Sequence, residues 1–217
     1  MSIYWKIFKK YWYIYLLIVV LATSLSLGVS IFQEPEYKSQ VKILVIQQQG
    51  QRLDAYTAAR SAQTISDVMS KMVYTSSFFD KVLTSGFDIE DDFGSDAEKR
   101  KELWEDRVQT RLLDETGSLQ IDVYHTDRKQ AEQMAFGIAY VMINYGEQYH
   151  GGGNQIEIKM VDLPWTSDKP VRPNVLNNTL AGFGLGLLLS AVIIVLLGSR
   201  REENRENLPS KRDDRDW

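Results

Sequence analysis

Two long uncharged runs limit what this chain can fold into. Residues 11–32 and 175–198 contain no Asp, Glu, Lys or Arg. About 20 apolar residues in a helix cross the roughly 30 Å hydrocarbon core of a bilayer, so each run is long enough to span one. Trp12, Tyr13 and Tyr15 stand at the lysine end of the first run, where amphipathic rings favour the membrane interface. The competing reading of the first run is a cleaved signal peptide. Its apolar stretch exceeds the usual 7–15 residues, and no small-x-small cleavage site follows it cleanly.

Charge orients the two runs. Lys6, Lys9 and Lys10 precede the first, and Arg200 and Arg201 follow the second, with Arg205 close behind. Basic residues beside a span stay in the cytoplasm, and acids count for little in this rule. The sequence therefore predicts a cytoplasmic N-terminus at 1–10, a transmembrane helix at 11–32 and an extracytoplasmic domain at 33–174. A second transmembrane helix at 175–198 and a cytoplasmic tail at 199–217 complete the order. Residues 33–174 hold 16 basic and 23 acidic side chains, a net −7, without a basic stripe. Nucleic acid is not an expected partner. The absence of cysteine excludes disulfides, thiolate chemistry and cysteine–zinc sites.

Inside 33–174 the periodicity predicts an α+β domain of about three strands and four helices. Val41, Ile43 and Val45 alternate with Gln40, Lys42, Leu44 and Ile46, a strand at 37–47. Residues 47–52, with Gly50, read as a loop. A helix at 54–73, capped by Asp54, carries Ala55, Ala58, Ala62, Ile65, Met69 and Met72 on one face. A short helix follows at 76–84 and ends at Gly86. Ser95 and Glu98 form a capping box for a helix running to about Leu113, with Trp104, Val108 and Leu112 on its buried side. Leu119, Ile121 and Val123 mark a second strand. Thr126 caps a long helix to about Gln148, and Gly151, Gly152 and Gly153 make a turn. Ile156, Ile158 and Met160 mark a third strand.

Asp88, Glu90, Asp91 and Asp92 form an acidic cluster. A calcium loop needs Gly at its sixth position and Phe93 stands there, so a solvated loop is the expectation. His125 and His150 read as surface residues. HExxH, GxSxG and GxxxxGK[ST] are absent, and no catalytic residue, cofactor or metal ligand is predicted.

Pro164, Pro170 and Pro173-Asn174 punctuate the approach to the second run and predict a stiff, extended lead-in at 164–173. Gly182, Gly184 and Gly186 follow. Gly182 and Gly186 have the small-xxx-small spacing that lets membrane helices approach closely.

Taken together, these features resemble the chain-length determinant (Wzz-type) polysaccharide co-polymerase family. The likeness rests on the two spans, the strand just after the first, and the proline-punctuated stretch feeding a glycine-bearing second span. The helix with Arg60, Ser61 and Ala62, the strand 119–123 running into Thr126-Asp127 and the helix at 131–135 are similar too. The tail 199–217 contains no P-loop and no tyrosine, so the resemblance points to a short, kinase-less member. It implies a non-enzymatic homo-oligomer of the plasma (inner) membrane. Such a protein sets chain length in O-antigen, capsule or exopolysaccharide biosynthesis, with a polymerase or the growing glycan as partner. The alternative it allows is a transmembrane adaptor for a separate cytoplasmic tyrosine kinase.

Overall fold

A computed structural model describes residues 3–47, 55–113, 117–151 and 155–206. Two compact units result, one at 34–172 and the other built from the two terminal helices.

The helical unit consists of α1, Ile3–Phe32, and α7, Val175–Glu206. Tyr11 leaves helical geometry (φ −116°, ψ 17°) and kinks α1 where the lysine-bearing segment meets the uncharged run. Lys9–Phe32 and Val175–Leu196 are long and apolar enough to cross a membrane, by length and composition. Only 11% and 17% of their most apolar windows are buried within the protein. A core helix of a soluble domain would bury such a surface; here most of it is open.

The other unit is α+β. Its elements run β1 (Tyr37–Gln47), α2 (Ala55–Met72), α3 (Ser76–Leu83), α4 (Ala97–Arg107), β2 (Val108–Leu113), β3 (Ser118–His125), α5 (Arg128–Tyr145), α6 (Glu147–His150) and β4 (Ile156–Thr166). The strands form one antiparallel sheet in the order β2-β3-β1-β4. Alternation puts Val41, Ile43, Val45, Leu119, Ile121 and Val123 on one face, each at most 2% exposed. That face meets Met69 and Met72 of α2 and Met134, Ile138 and Met142 of α5 in a single core. Phe79, Phe93 and Trp104 extend it as an aromatic cluster, with ring centroids 4.8–6.0 Å apart. The Trp104 indole Nε1–H donates to the Val73 carbonyl at 2.8 Å, so its buried polar atom is satisfied.

The observed elements depart from the sequence expectation in several places. Among the described residues there are four strands, not three, because α4 stops at Arg107 and Val108 begins β2. The backbone from Val108 to Leu113 pairs with β3, whose other edge is taken by β1. The cap of α4 is Asp96, whose carboxylate accepts from Lys99 N–H at 2.9 Å, rather than Ser95. The cap of α5 is Asp127, accepting from Lys129 and Gln130 N–H, rather than Thr126. The carboxylate reaches the open amides of the first turn and its charge suits the helix N-terminus. The long helix breaks at Gly146 into α5 and the short α6. β4 continues through Pro164 to Thr166, and the chain bends at Asp168 and Lys169, so 164–173 is not one extended segment. Gly50, Asp54, Gly152 and Gly153 lie outside the described residues.

Candidate functional site: the helix pair and the domain clasp

The helical unit is held by close approach and by a small polar cluster. A Cβ added at Gly182 would collide with the Ser26 side chain. One added at Gly186 would lie 2.9 Å from Val19 Cα and 3.1 Å from Ala22 Cβ. Gly184, between them, faces open space. Ser26 Oγ donates to the Asn178 carbonyl at 2.7 Å, and Asn178 Nδ2 donates to Ser30 Oγ at 2.8 Å. Ser30 is 2% exposed. Polar groups in an apolar setting need such partners, and each pair fixes the register of one helix against the other. Asn174 Oδ1 accepts from Asn177 N–H at 3.0 Å, a cap at the start of α7, with Pro173 immediately before it.

In the domain, its two chain ends are clasped together. Glu36 N–H donates to the Arg172 carbonyl at 2.9 Å, and Val171 N–H donates to the Glu36 carbonyl at 2.8 Å. The Arg172 guanidinium lies 3.4 Å from the Tyr124 ring centroid, 3.4 Å from Glu36 Oε2, and donates to the Asp106 carbonyl at 3.2 Å. Four segments distant in sequence thus meet at one side chain. Burial, and then the Asp122 carboxylate, push the Tyr124 hydroxyl above its ordinary value, so it stays protonated.

The acidic cluster is not simply solvated. Asp88 pairs with Lys129 at 2.6 Å, and Asp91 binds Arg100 with both oxygens at 2.8 and 2.9 Å. Asp92 likewise binds Arg107 with both oxygens and lies 3.5 Å from His125 Nε2. Hydrogen bonds from Arg100 and Arg107 hold the Asp91 and Asp92 carboxyls below the usual carboxylate range. His125 is buried, not at the surface, and its Nδ1 accepts from Asp127 N–H at 2.8 Å. Among the described residues no group of His, Cys, Asp and Glu could hold a metal ion.

The predicted residues occupy separate places. Pro164 sits in β4, Pro170 follows the bend after it, and Pro173 and Asn174 lead into α7. Lys9 and Lys10 are exposed in α1, Lys10 over the Tyr11 ring at 5.6 Å. The side chains of Lys6, Arg200 and Arg201 lie outside the described residues. Neither the role of Arg172 nor β2 is legible in the sequence; Arg172 offers no signal beyond a charge beside a proline.

The chain is an α+β domain flanked on either side by a helix long and apolar enough to span a membrane. Residues 2–86 match the family model Wzz, chain length determinant protein, over α1, β1, α2 and α3. The match spans the first helix and the N-terminal part of the α+β domain. No curated protein matches the chain.

Proposed function

We propose that the chain is a membrane-anchored, oligomeric regulator of polysaccharide chain length in surface polysaccharide biosynthesis, acting without catalysis of its own. The observation that carries this reading is the match of residues 2–86 to the chain length determinant family. Both termini lie in the cytoplasm and residues 33–174 lie outside, an arrangement supported by Lys9 and Lys10 beside one run and Arg200 and Arg201 beside the other. The plasma (inner) membrane is its location, and its partners are further copies and the polymerase or the growing glycan.

Gly182 and Gly186 serve the packing of α7 on α1 within one chain, which is supported by the backbone and Cβ approaches at Val19, Ala22 and Ser26. Gly184 does not share that role. The proline and asparagine residues before α7 set where that helix begins. Contacts between copies then fall to other surfaces, chiefly those of the domain. The reading is tested in cells by replacing the chain with one carrying Gly186→Leu. A shifted or broadened polysaccharide length distribution at normal protein level is expected; an unchanged distribution counts against the helix pair as part of the machinery.

A further inference from the structure

β4 is an edge strand, paired with β1 on one side and open on the other. Along it Val161, Leu163 and Trp165 are 54%, 71% and 61% exposed, three large apolar side chains within one short stretch. Single exposed apolar residues are ordinary on a protein surface; a stripe of them marks a contact.

The strand register shows how they come to be exposed. Trp165 stands opposite Gln40, Asp162 opposite Lys42 and Met160 opposite Ile43. Between the first two pairs β1 advances two residues and β4 three; between the last two, β1 advances one and β4 two. Each shift leaves one extra residue on β4. Val161 is the extra residue of one bulge, and Leu163-Pro164 spans the other. A bulge re-aims the side chains it carries. The two aliphatics are thereby left out of the core that Ile158 and Met160 of the same strand still join.

The same bulges, with Pro164 lacking an N–H, oppose the addition of a further strand at this edge. Whatever covers the stripe therefore meets side chains, not backbone. Exposures above one half mean that these side chains project, and a fluid apolar layer accepts a projecting stripe without a matching groove. Chain length keeps such a layer within reach. The domain unit runs from Glu34 to Arg172, and the uncharged runs end at Phe32 and resume at Val175. Gln40, opposite Trp165, is eight residues past Phe32, at most about 29 Å of chain. An indole with aliphatic neighbours is the composition that settles at the headgroup boundary. Charge does not supply the attraction: residues 33–174 carry a net −7, which anionic lipid repels. Burial of apolar surface must hold the contact.

We propose that the bulged edge of β4 is a lipid-binding site, where Val161, Leu163 and Trp165 enter the headgroup layer and hold the domain on the bilayer surface. This rests on the membrane-anchored reading above and adds a lipid contact made by the domain itself.

The chain has no cysteine, so one introduced cysteine carries one nitroxide in the full protein. The test places the labelled chain in nanodiscs of phosphatidylethanolamine and phosphatidylglycerol. It compares collisions of the label with oxygen, which concentrates in lipid, and with a water-soluble nickel chelate. Leu163→Cys and Val161→Cys are expected to give oxygen-to-nickel ratios several-fold above that of Tyr140→Cys, on α5, and to keep them in high salt. A nitroxide is itself apolar, so the unlabelled chain is read as well. Lipid brominated near the headgroup should quench a component of the tryptophan emission that Trp165→Phe lacks. Water-like ratios at Leu163, their loss of lipid character in high salt, or equal quenching in wild type and Trp165→Phe overturns the proposal. So does a label at Leu163 shielded from both reagents, which assigns the stripe to a protein contact. Leu188→Cys, on α7, checks the spans. A water-like label there defeats the membrane reading itself; a lipid-like one there with a water-like one at Leu163 defeats the proposal alone.

Discussion

Arg172 is the residue on which most segments of the domain converge. Its guanidinium stacks on Tyr124 at 3.4 Å, pairs with Glu36 and bonds the carbonyl of Asp106. A cation–π contact of this kind contributes about 1 kcal/mol, and a part-exposed ion pair at most about another. Arg172→Ala is therefore expected to cost about 1–2 kcal/mol, read as a fall of a few degrees in melting temperature. Arg172→Lys should recover only part, because a lysine cannot stack and fork at once. The Asp91 and Asp92 pairs set the acid response. Both carboxyls are held below their ordinary value of 3.8, chiefly by Arg100 and Arg107. A lowered folded value means that their contribution is present above the unfolded value and drains as pH falls through the folded one. Melting temperature should therefore drop on acidification below about pH 4, and Asp92→Asn should show a shallower drop from a lower plateau.

At the scale of elements, the glycines of α7 divide into two kinds. Gly182 and Gly186 meet α1, and Gly184 does not. In a detergent unfolding titration, Gly186→Leu should lower the midpoint and Gly184→Leu should leave it in place. Asn178→Leu, which loses its bond to Ser30, should cost about 0.6–1.7 kcal/mol. The spacing of these glycines was legible in the sequence. Their contacts were not, because Val19 and Ser26 lie more than 150 residues away along the chain.

Much of the domain could be read in the same way. β1 alternates cleanly, burying one face and leaving the other half-buried, and β3 alternates apart from Asp122, which is buried beside Lys38 and Gln120. β2 was hidden because Val108 and Leu112 are four apart, a separation that keeps one side in a strand and nearly so in a helix. What decided between them was the open edge of β3, a tertiary demand that no local period reports. The burial of His125 is hidden from the sequence for a similar cause: its partners Asp92 and Asp127 reach it from a loop and a helix cap.

For the whole molecule, the proposed topology predicts where tags should appear. A reporter inserted after His150 should be active outside the cytoplasm, and one fused after Arg201 should be active inside it. The central claim is that this two-span protein sets the length of a surface polysaccharide. The most direct measurement is the electrophoretic length profile of that polysaccharide from cells with the chain, without it, and with it restored. A modal cluster present only when the chain is present is the predicted result. Identical profiles in all three, with the protein shown to be made and in the membrane, would contradict it.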